Sequence, residues 1–563
     1  ETKTVYQFHG CYFHGCKYCY NELTVNKVSR YNMKYLYERT RAVENTITSA
    51  GYNMVTMWEH EFDRNKEMRG TSLDEYELVE PPKFREDAFF GGRCEPVKLI
   101  YNFKDKCVKG KYIDVVSLYP TVMFYDKYPK GHPIRISKPK DYNYEWFGFI
   151  YCKVLPPRGL YLPVLPYKQK TKEAHKLLFG LCRTCMQYTG AKCYHHRSTK
   201  CEAECKIKAC WECKDARKRR KQNCEECYEL RNKDCIHTDS ERAITGFWTT
   251  PEMEKALEKG YKIEQIYEVW HFENYSRDLW KEYIRKFMKV KLETSKFTCS
   301  EDEYREKARK FGIELEELKE NPGLRFISKI CLNSLWGKFG QNPKVKHSEY
   351  IDNEKDFYRI VLDDKIEQIA LCFLNENMVY ANYERKNEFL RKSYTTNIFV
   401  ACFTSAWARM RLYDMLEKLN RNVCYCDTDS VVYIENEETK AIVEQFMGDG
   451  LGDWTDELEG QHMEFWCCAQ AKDYGYILDN KKQAGKVKGF KVTAETEEKM
   501  TNEQRINLIK GAIDSVDINY EQFRIKHCEI YTKRMVKQWA FKFDKRMIRK
   551  VSEDEIDTIP YGY

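Results

Sequence analysis

The chain has no run of about eighteen apolar residues, so a membrane-spanning helix is not expected. It has no secretory signal either: it opens ETKTVYQFHGC, inside what reads as a strand, which suggests a piece cut from something longer. No internal repeat is visible. Net charge is also scarce, because 95 basic residues nearly cancel 87 acidic ones and leave +8. That balance is compatible with nucleic acid but does not argue for it alone. What is plentiful is apolar residues and cysteine. The 42% hydrophobic content over 563 residues excludes wholesale disorder and supports three or four domains of about 150 residues. The 25 cysteines cluster, several as Cys-x-x-Cys pairs. Without a signal peptide, that pattern indicates metal ligands or free thiols in a reducing, intracellular setting rather than disulfides.

Local patterns divide the chain. A strand (Thr4 to Phe8), a Cys/His-rich loop, a helix near Tyr31 to Ala50 and a strand (Met54 to Trp58) precede a polar linker ending in Pro81-Pro82. A strand and turn follow at Lys111 to Pro120, then a Cys-rich insert from Cys182 to His237. Helical periodicity dominates from Arg277 to Gly340 and again from Asn397 to Leu419. Residues 341 to 395 are mixed and charged. The part beyond about Lys486 is basic and reads as mainly helical.

Three segments carry chemistry. Val423 to Ile434 reads as an apolar hairpin whose tip, Cys426-Asp427-Thr428-Asp429-Ser430, brings two carboxylates together. Like charges so held need a cation, and hard oxygen ligands favour Mg²⁺ or Mn²⁺; the plain alternative is a solvated Asx turn. Lys111 to Val116 is an apolar strand with one embedded carboxylate, Asp114, which requires a partner: a salt bridge or a metal. If that strand lies beside the hairpin, Asp114 and Asp429 together suit two metals about 3.5–4 Å apart. The third segment starts at Asn321, a good N-cap, and Pro322, a good first helical residue. Arg325, Lys329, Asn333 and Gly337 then recur every four residues on one face. Two cations one turn apart suit a triphosphate, and Gly337 allows close approach; an ordinary solvated basic face is the alternative.

Taken together and in order, Asp-x-x-Ser-Leu-Tyr-Pro (from Asp114), Lys-x-x-x-Asn-Ser-x-x-Gly (from Lys329) and Tyr-x-Asp-Thr-Asp-Ser (from Tyr425) resemble the three polymerase motifs of family B DNA polymerases. Lys472-Asp473-Tyr474 resembles the Lys-x-Tyr motif placed against the primer terminus. The resemblance spans residues 83 to 500. It implies an α+β palm–fingers–thumb polymerase with an antiparallel palm sheet. It implies Asp114 and Asp429 as principal Mg²⁺ (or Mn²⁺) ligands, Asp427 as auxiliary, and the Val115 carbonyl completing one shell. It further implies Arg325 and Lys329 on the nucleotide phosphates, with Lys291 as a weaker phosphate ligand. Asn333 and Gly337 would lie against the nascent base pair, and Tyr119 would be the steric gate against a ribose 2′-OH. Lys472, Tyr474 and Lys488 would contact primer and DNA. Trp336 stands where relatives often carry tyrosine. The implied partners are template, primer and deoxynucleoside triphosphates, acting on a monomer with no membrane partner. No Asp-x-Glu proofreading strand is evident ahead of Asp114. An inactive nucleic-acid-binding scaffold is the alternative of a different class; loss of Asp114, Asp429 or Lys329 would favour it, and all three are present.

Gly91-Gly92-Arg93-Cys94-Glu95 and Gly131-His132-Pro133 resemble the protein-primed polymerases of Maverick/Polinton-type transposons and related viruses, with an organellar-plasmid or virus polymerase of the same strategy as the runner-up. That resemblance implies a terminal priming protein as partner and a nuclear or viral/cytoplasmic replication site. Near the start, His9-Gly10-Cys11 to Cys19, with Trp58-Glu59-His60, is similar to very-short-patch-repair endonucleases. This implies a restriction-endonuclease-like α/β module, a structural zinc on Cys11, Cys16, Cys19 and His60, and a match of His14 to a catalytic histidine. In the insert, Cys182, Cys185, Cys235 and His237 form one candidate zinc set, and Cys210, Cys213, Cys224 and Cys227 a second. Cys193, His195 or His196, Cys201 and Cys205 form a third. Arg217 to Lys221 is a basic block suited to phosphate, nuclear import, or simply solvent. The expected domains are an endonuclease-like module (1–82), palm (83–180), zinc insert (181–240) and palm or insertion (241–275). Fingers (276–340), a second insertion (341–395), palm (396–480) and thumb (481–563) follow.

Overall fold

The computed structural model describes residues 3–64, 83–170, 175–187, 235, 237–297, 299–342, 344–386, 389–390, 395–491, 493–526, 529–552 and 554–563. The chain divides into two compact units, Glu1–Pro81 and Pro82–Tyr563.

In the first unit, Thr4–His9 pairs in parallel with Asn53–Trp58, and the helix Met33–Ser49 connects them. Parallel neighbours need such a crossover. Asn32 starts the helix by accepting a hydrogen bond from the Tyr35 amide at 2.8 Å, and Met33, Leu36, Thr40 and Glu44 are its buried residues.

The second unit is organised by an eleven-stranded sheet, antiparallel throughout. Its centre runs Lys98–Asn102, Met463–Gln470, Lys109–Val115, Ser430–Glu435, Val423–Asp427, Cys94–Pro96. Val423 to Glu435 forms the expected hairpin, whose strands are almost wholly buried. Such continuous apolar runs belong to strands covered on both faces. One cover is the helix Ile398–Leu419, buried on nearly every side. A second antiparallel sheet, in the order Ile244–Thr249, Gly148–Leu155, Lys262–His271, Ile134–Ser137, shares the main core with it. Residues 134–155 and 244–271 therefore make one layer, although the insert separates them in sequence.

The helices Lys281–Glu293, Glu301–Arg309 and Pro322–Phe339 share a core with Leu118–Tyr125, which begins where sequence reading expected only a turn. Between residues 341 and 395, three antiparallel strands (His347–Ile351, Ile366–Asn375, Met378–Arg385) and the helix Glu354–Val361 close a small core of their own around Ile351, Ile360 and Tyr383.

The C-terminal part corrects the helical expectation. After two short helices, Ala494–Lys499 and Asn502–Lys510, it is β: a long hairpin, Ser515–Lys526 with Glu529–Ala540, then Met547–Lys550 and Ile556–Ile559. Frequent Lys and Arg masked a period of two, in which Val516 and Ile518 alternate with polar neighbours and Ile518 packs with Trp539 and Leu508. The segment expected as thumb also returns to the eleven-stranded sheet, where Ile556–Ile559 pairs with Lys98–Asn102. Among the described residues, no helix is long and apolar enough to cross a membrane.

Candidate active site

Asp114 lies on a central strand, opposite Ser430 on one side and Thr455 on the other. The Val115 amide donates to the Asp429 carbonyl at 2.8 Å, which locks the hairpin tip beside Asp114. At the tip Thr428 is left-handed (φ 61°), a conformation a β-branched residue adopts only when held. Its amide donates to the Arg93 carbonyl at 2.6 Å, and Gly92 lies so close that a β-carbon there would sit 2.8 Å from Thr428 Oγ1. The Gly-Gly-Arg segment thus seats the acidic tip.

Burial pushes the Asp114 carboxyl up to about 7, aided by Asp429 and Glu457 and partly offset by Lys329. Burial and then Asp427 raise Asp429 as well. Two destabilised carboxylates, one on a strand and one in the hairpin turn beside it, fit a hard divalent cation, whose charge offsets both penalties. Asp427 is placed differently. It is buried, with the Lys472 ammonium 2.9 Å from its Oδ1 and the Tyr425 hydroxyl donating to Oδ2 at 3.4 Å.

Facing the acids is a cationic group. Asn321 caps the helix Pro322–Phe339 by accepting from the Leu324 amide at 3.1 Å. Ser328 and Leu332 are buried on one side, leaving Arg325, Lys329, Asn333 and Gly337 exposed on the other. Nothing lies within 4 Å of a β-carbon built on Gly337. Lys291, the weakest of the expected phosphate ligands, is drawn in: its ammonium donates to Ser117 Oγ at 3.4 Å. Burial, Arg325 and Lys329 together lower its pKa, as for cations crowded without an anion. Ser117, left-handed at φ 56°, was missed in sequence reading; a polar residue between a strand end and a helix start was the available signal.

Tyr119 stacks face to face on Trp336, with centroids 4.5 Å apart and planes at 6°. Burial pushes its hydroxyl up to about 12, so it remains a neutral ring at neutral pH. Within Lys472-Asp473-Tyr474, Lys472 precedes the strand Asp473–Leu478, whose first two side chains are both buried. Asp473 accepts from Arg505 Nε at 3.0 Å and from Trp539 Nε1 at 2.7 Å, a buried brace not foreseen. Tyr474 sits within an aromatic cluster, its hydroxyl 3.4 Å from that of Tyr112. The Lys488 amide donates to the Lys472 carbonyl at 2.9 Å, and its side chain is exposed. Arg409 is a second unforeseen brace, donating to Glu252 Oε1 at 2.9 and 2.7 Å and to the carbonyls of Phe90 and Gly91.

Among the described residues, two sets of Cys/His atoms converge, each within 4.8 Å: Cys11, Cys16, Cys19, His60 and Cys182, Cys185, Cys235, His237. In the second, His237 Nδ1 lies 3.5, 3.3 and 3.4 Å from the three sulfurs, and Cys185 Sγ lies 3.8 Å from Cys235 Sγ. A tetrahedron with Zn–S of about 2.3 Å and Zn–N of about 2.0–2.1 Å has edges of about 3.8 and 3.6 Å, so the set fits zinc. In the first, His60 Nδ1 is 3.2 Å from Cys11 Sγ and 3.4 Å from Cys16 Sγ. Nearby, His14 Nδ1 lies 3.1 Å from the Gly10 carbonyl. Cys193, His195, His196, Cys201, Cys205, Cys210, Cys213, Cys224, Cys227 and the Arg217–Lys221 block lie outside the described residues.

A strand aspartate and a hairpin-tip aspartate, with cations on two nearby helices, suit a divalent cation and a polyanion together. A family model described as DNA polymerase type B, organellar and viral, matches residues 17–188 and 203–422. The chain belongs to this family. A probable DNA polymerase of Neurospora intermedia is 23% identical over 352 residues, 61% of this chain and 26% of the relative. A DNA polymerase of Kluyveromyces lactis is 23% identical over 526 residues, 90% of this chain and 42% of the relative. The chain thus spans well under half the length of either. A solved structure of phi29 DNA polymerase with primer-template DNA and incoming nucleotides matches at 15% identity with a TM-score of 0.48, covering 82% of this chain and 62% of that one.

Proposed function

We propose that this chain carries the polymerising centre of a protein-primed DNA polymerase, adding deoxynucleoside monophosphates to a primer 3′-OH during replication of a viral or transposon genome inside the cell. The observation that carries the reading is the hairpin tip with Asp429 locked beside Asp114, with Lys329 near enough to offset the raised Asp114 carboxyl and Lys291 grouped with Arg325 and Lys329.

In this reading Asp114 and Asp429, with the Val115 carbonyl, hold two Mg²⁺ ions (or Mn²⁺). The pair supplies activation of the 3′-hydroxyl and charge compensation on the departing pyrophosphate. Arg325, Lys329 and Lys291 grip the triphosphate and stabilise charge growing on it. Asn333 and Gly337 lie against the nascent base pair, and the Tyr119 ring, backed by Trp336, fills the space a 2′-OH would need. Lys472 neutralises Asp427, which leaves Asp427 an auxiliary role, and with Lys488 it orders the primer side, while the buried Tyr474 packs behind them rather than meeting the primer.

Priming from a terminal protein is supported by the Gly91 to Glu95 and Gly131 to Pro133 segments. Both converged Cys/His sets are structural zinc sites, closed by four ligands. The parallel strand–helix–strand unit around the first set is consistent with an endonuclease-like module. The test is primer extension with an oligonucleotide primer and, in parallel, with a hydroxyl-bearing protein primer. Extension from neither overturns the reading, and extension from the oligonucleotide alone removes protein priming.

A further inference from the structure

We infer that the Cys182–Cys185–Cys235–His237 site is a metal-dependent clamp that seats residues 560–563, and through them the last palm strand. The inference rests on the reading of this set as a zinc site.

The ligands come from two limbs distant in sequence, Cys182 with Cys185 and Cys235 with His237. Each limb holds one point of the same short segment. Leu181, next to the first ligand, donates its amide to the Tyr561 carbonyl at 2.7 Å. Cys235, itself a ligand, donates its amide to the Tyr563 carbonyl at 3.4 Å. Gly562 lies between these two points, left-handed at φ 85°. A β-carbon there would run into the Cys182 β-carbon and lie 2.6 Å from the Cys182 amide nitrogen. The metal site and the segment are thus packed backbone to backbone, with no room for a side chain.

Further contacts fix both partners. Arg158 donates to the carbonyls of Cys235 and His237 at 2.7 and 2.9 Å, and Arg421 donates to the Tyr563 hydroxyl at 2.6 Å. Immediately upstream, Ile556–Ile559 occupies its place beside Lys98–Asn102, with Thr558 Oγ1 donating to the Val97 carbonyl at 2.7 Å. The strand pairs along its full length with Met547–Lys550 but with Lys98–Asn102 only at Ile556 and Asp557, so its seating on that second edge draws on the clamped residues that follow. A metal joining the two limbs fixes the spacing of both amide donors, and the segment spans them only when that spacing is held. By linkage the effect is reciprocal: seating the segment strengthens metal retention.

The experiment uses the full chain. Native mass spectrometry counts zinc, and hydrogen exchange is followed in peptides covering 556–563, with 423–435 as an internal reference. In Cys185→Ser we expect one zinc fewer and about tenfold faster exchange at 556–563, with 423–435 unchanged. Gly562→Ala keeps every ligand, and should speed exchange at 556–563 and accelerate one phase of zinc release to a chelator. If Cys185→Ser loses one zinc while 556–563 exchanges as in the wild type, the clamp is overturned and the metal site stands. If its zinc content is unchanged, the metal reading fails, and the clamp with it.

Discussion

Replacing Trp336 with alanine tests the proposed sugar-selecting role of Tyr119 at its least expected point. The Tyr119 ring is held by one face of Trp336, 4.5 Å away and nearly parallel. Stacked pairs contribute about 0.5–1.5 kcal/mol beyond their burial. If that stack is what keeps the ring across the 2′ position, losing it should lower deoxy-over-ribo preference by about two- to tenfold, since 1.4 kcal/mol is tenfold. Tyr119→Val removes the ring itself and should lower the preference further, by a few kcal/mol at most. The decisive arm is the double variant. A residue that acts only by holding Tyr119 has nothing left to do once the ring is gone, so Trp336→Ala should add no loss in the Tyr119→Val background. The assay is kcat/KM for single deoxy- and ribonucleotide incorporation under Mg²⁺. Two results would refute the reasoning: unchanged preference in Tyr119→Val, or a Trp336→Ala effect that is the same size with and without Tyr119.

Asp114→Ala and Asp429→Ala should each abolish extension while circular dichroism stays unchanged; residual extension within about tenfold of wild type contradicts their assignment as the main metal ligands. Asp427→Ala should be milder, because Lys472 already balances that charge, and equal loss in all three variants argues against the distinction. Metal analysis of the purified chain should find at least two zinc ions, one for each converged set, and less than one per chain removes the zinc assignment. Arg409→Met should destabilise the second unit by about 3–5 kcal/mol by leaving the Glu252 carboxylate buried without its counter-ion, and Arg409→Met/Glu252→Gln, which keeps an oxygen for the Thr249 cap, should recover most of it. Thermal melts reading a double variant no more stable than the single one would show that the arginine's carbonyl contacts, not the ion pair, hold this region together.

Much of this molecule was legible from neighbouring residues. Asn321 and Pro322 announced a helix start, and the Asn321 cap forms as expected. The apolar runs around Asp427 and Asp429 announced a hairpin, and the strand carrying Asp114 reads directly. These signals depend on residues a few positions apart, so local sterics and hydrogen bonding suffice to set them. The same logic failed beyond Lys486, where basic side chains interrupt the apolar alternation and the strands are defined by cross-strand partners such as Trp539 opposite Val516.

What the tertiary structure alone decided are the pairings across long loops. Lys472 reaches Asp427 and Trp336 meets Tyr119, while Lys291 joins Arg325 and Lys329. Cys182 and Cys185 meet Cys235 and His237, and a strand near residue 556 returns to one near residue 98. None of these distances is written in spacing, because they depend on sheet register and on which surfaces bury one another. The chemistry-bearing residues and their order are properties of the sequence; their arrangement side by side exists only once the eleven-stranded sheet has formed and the helices have packed on it.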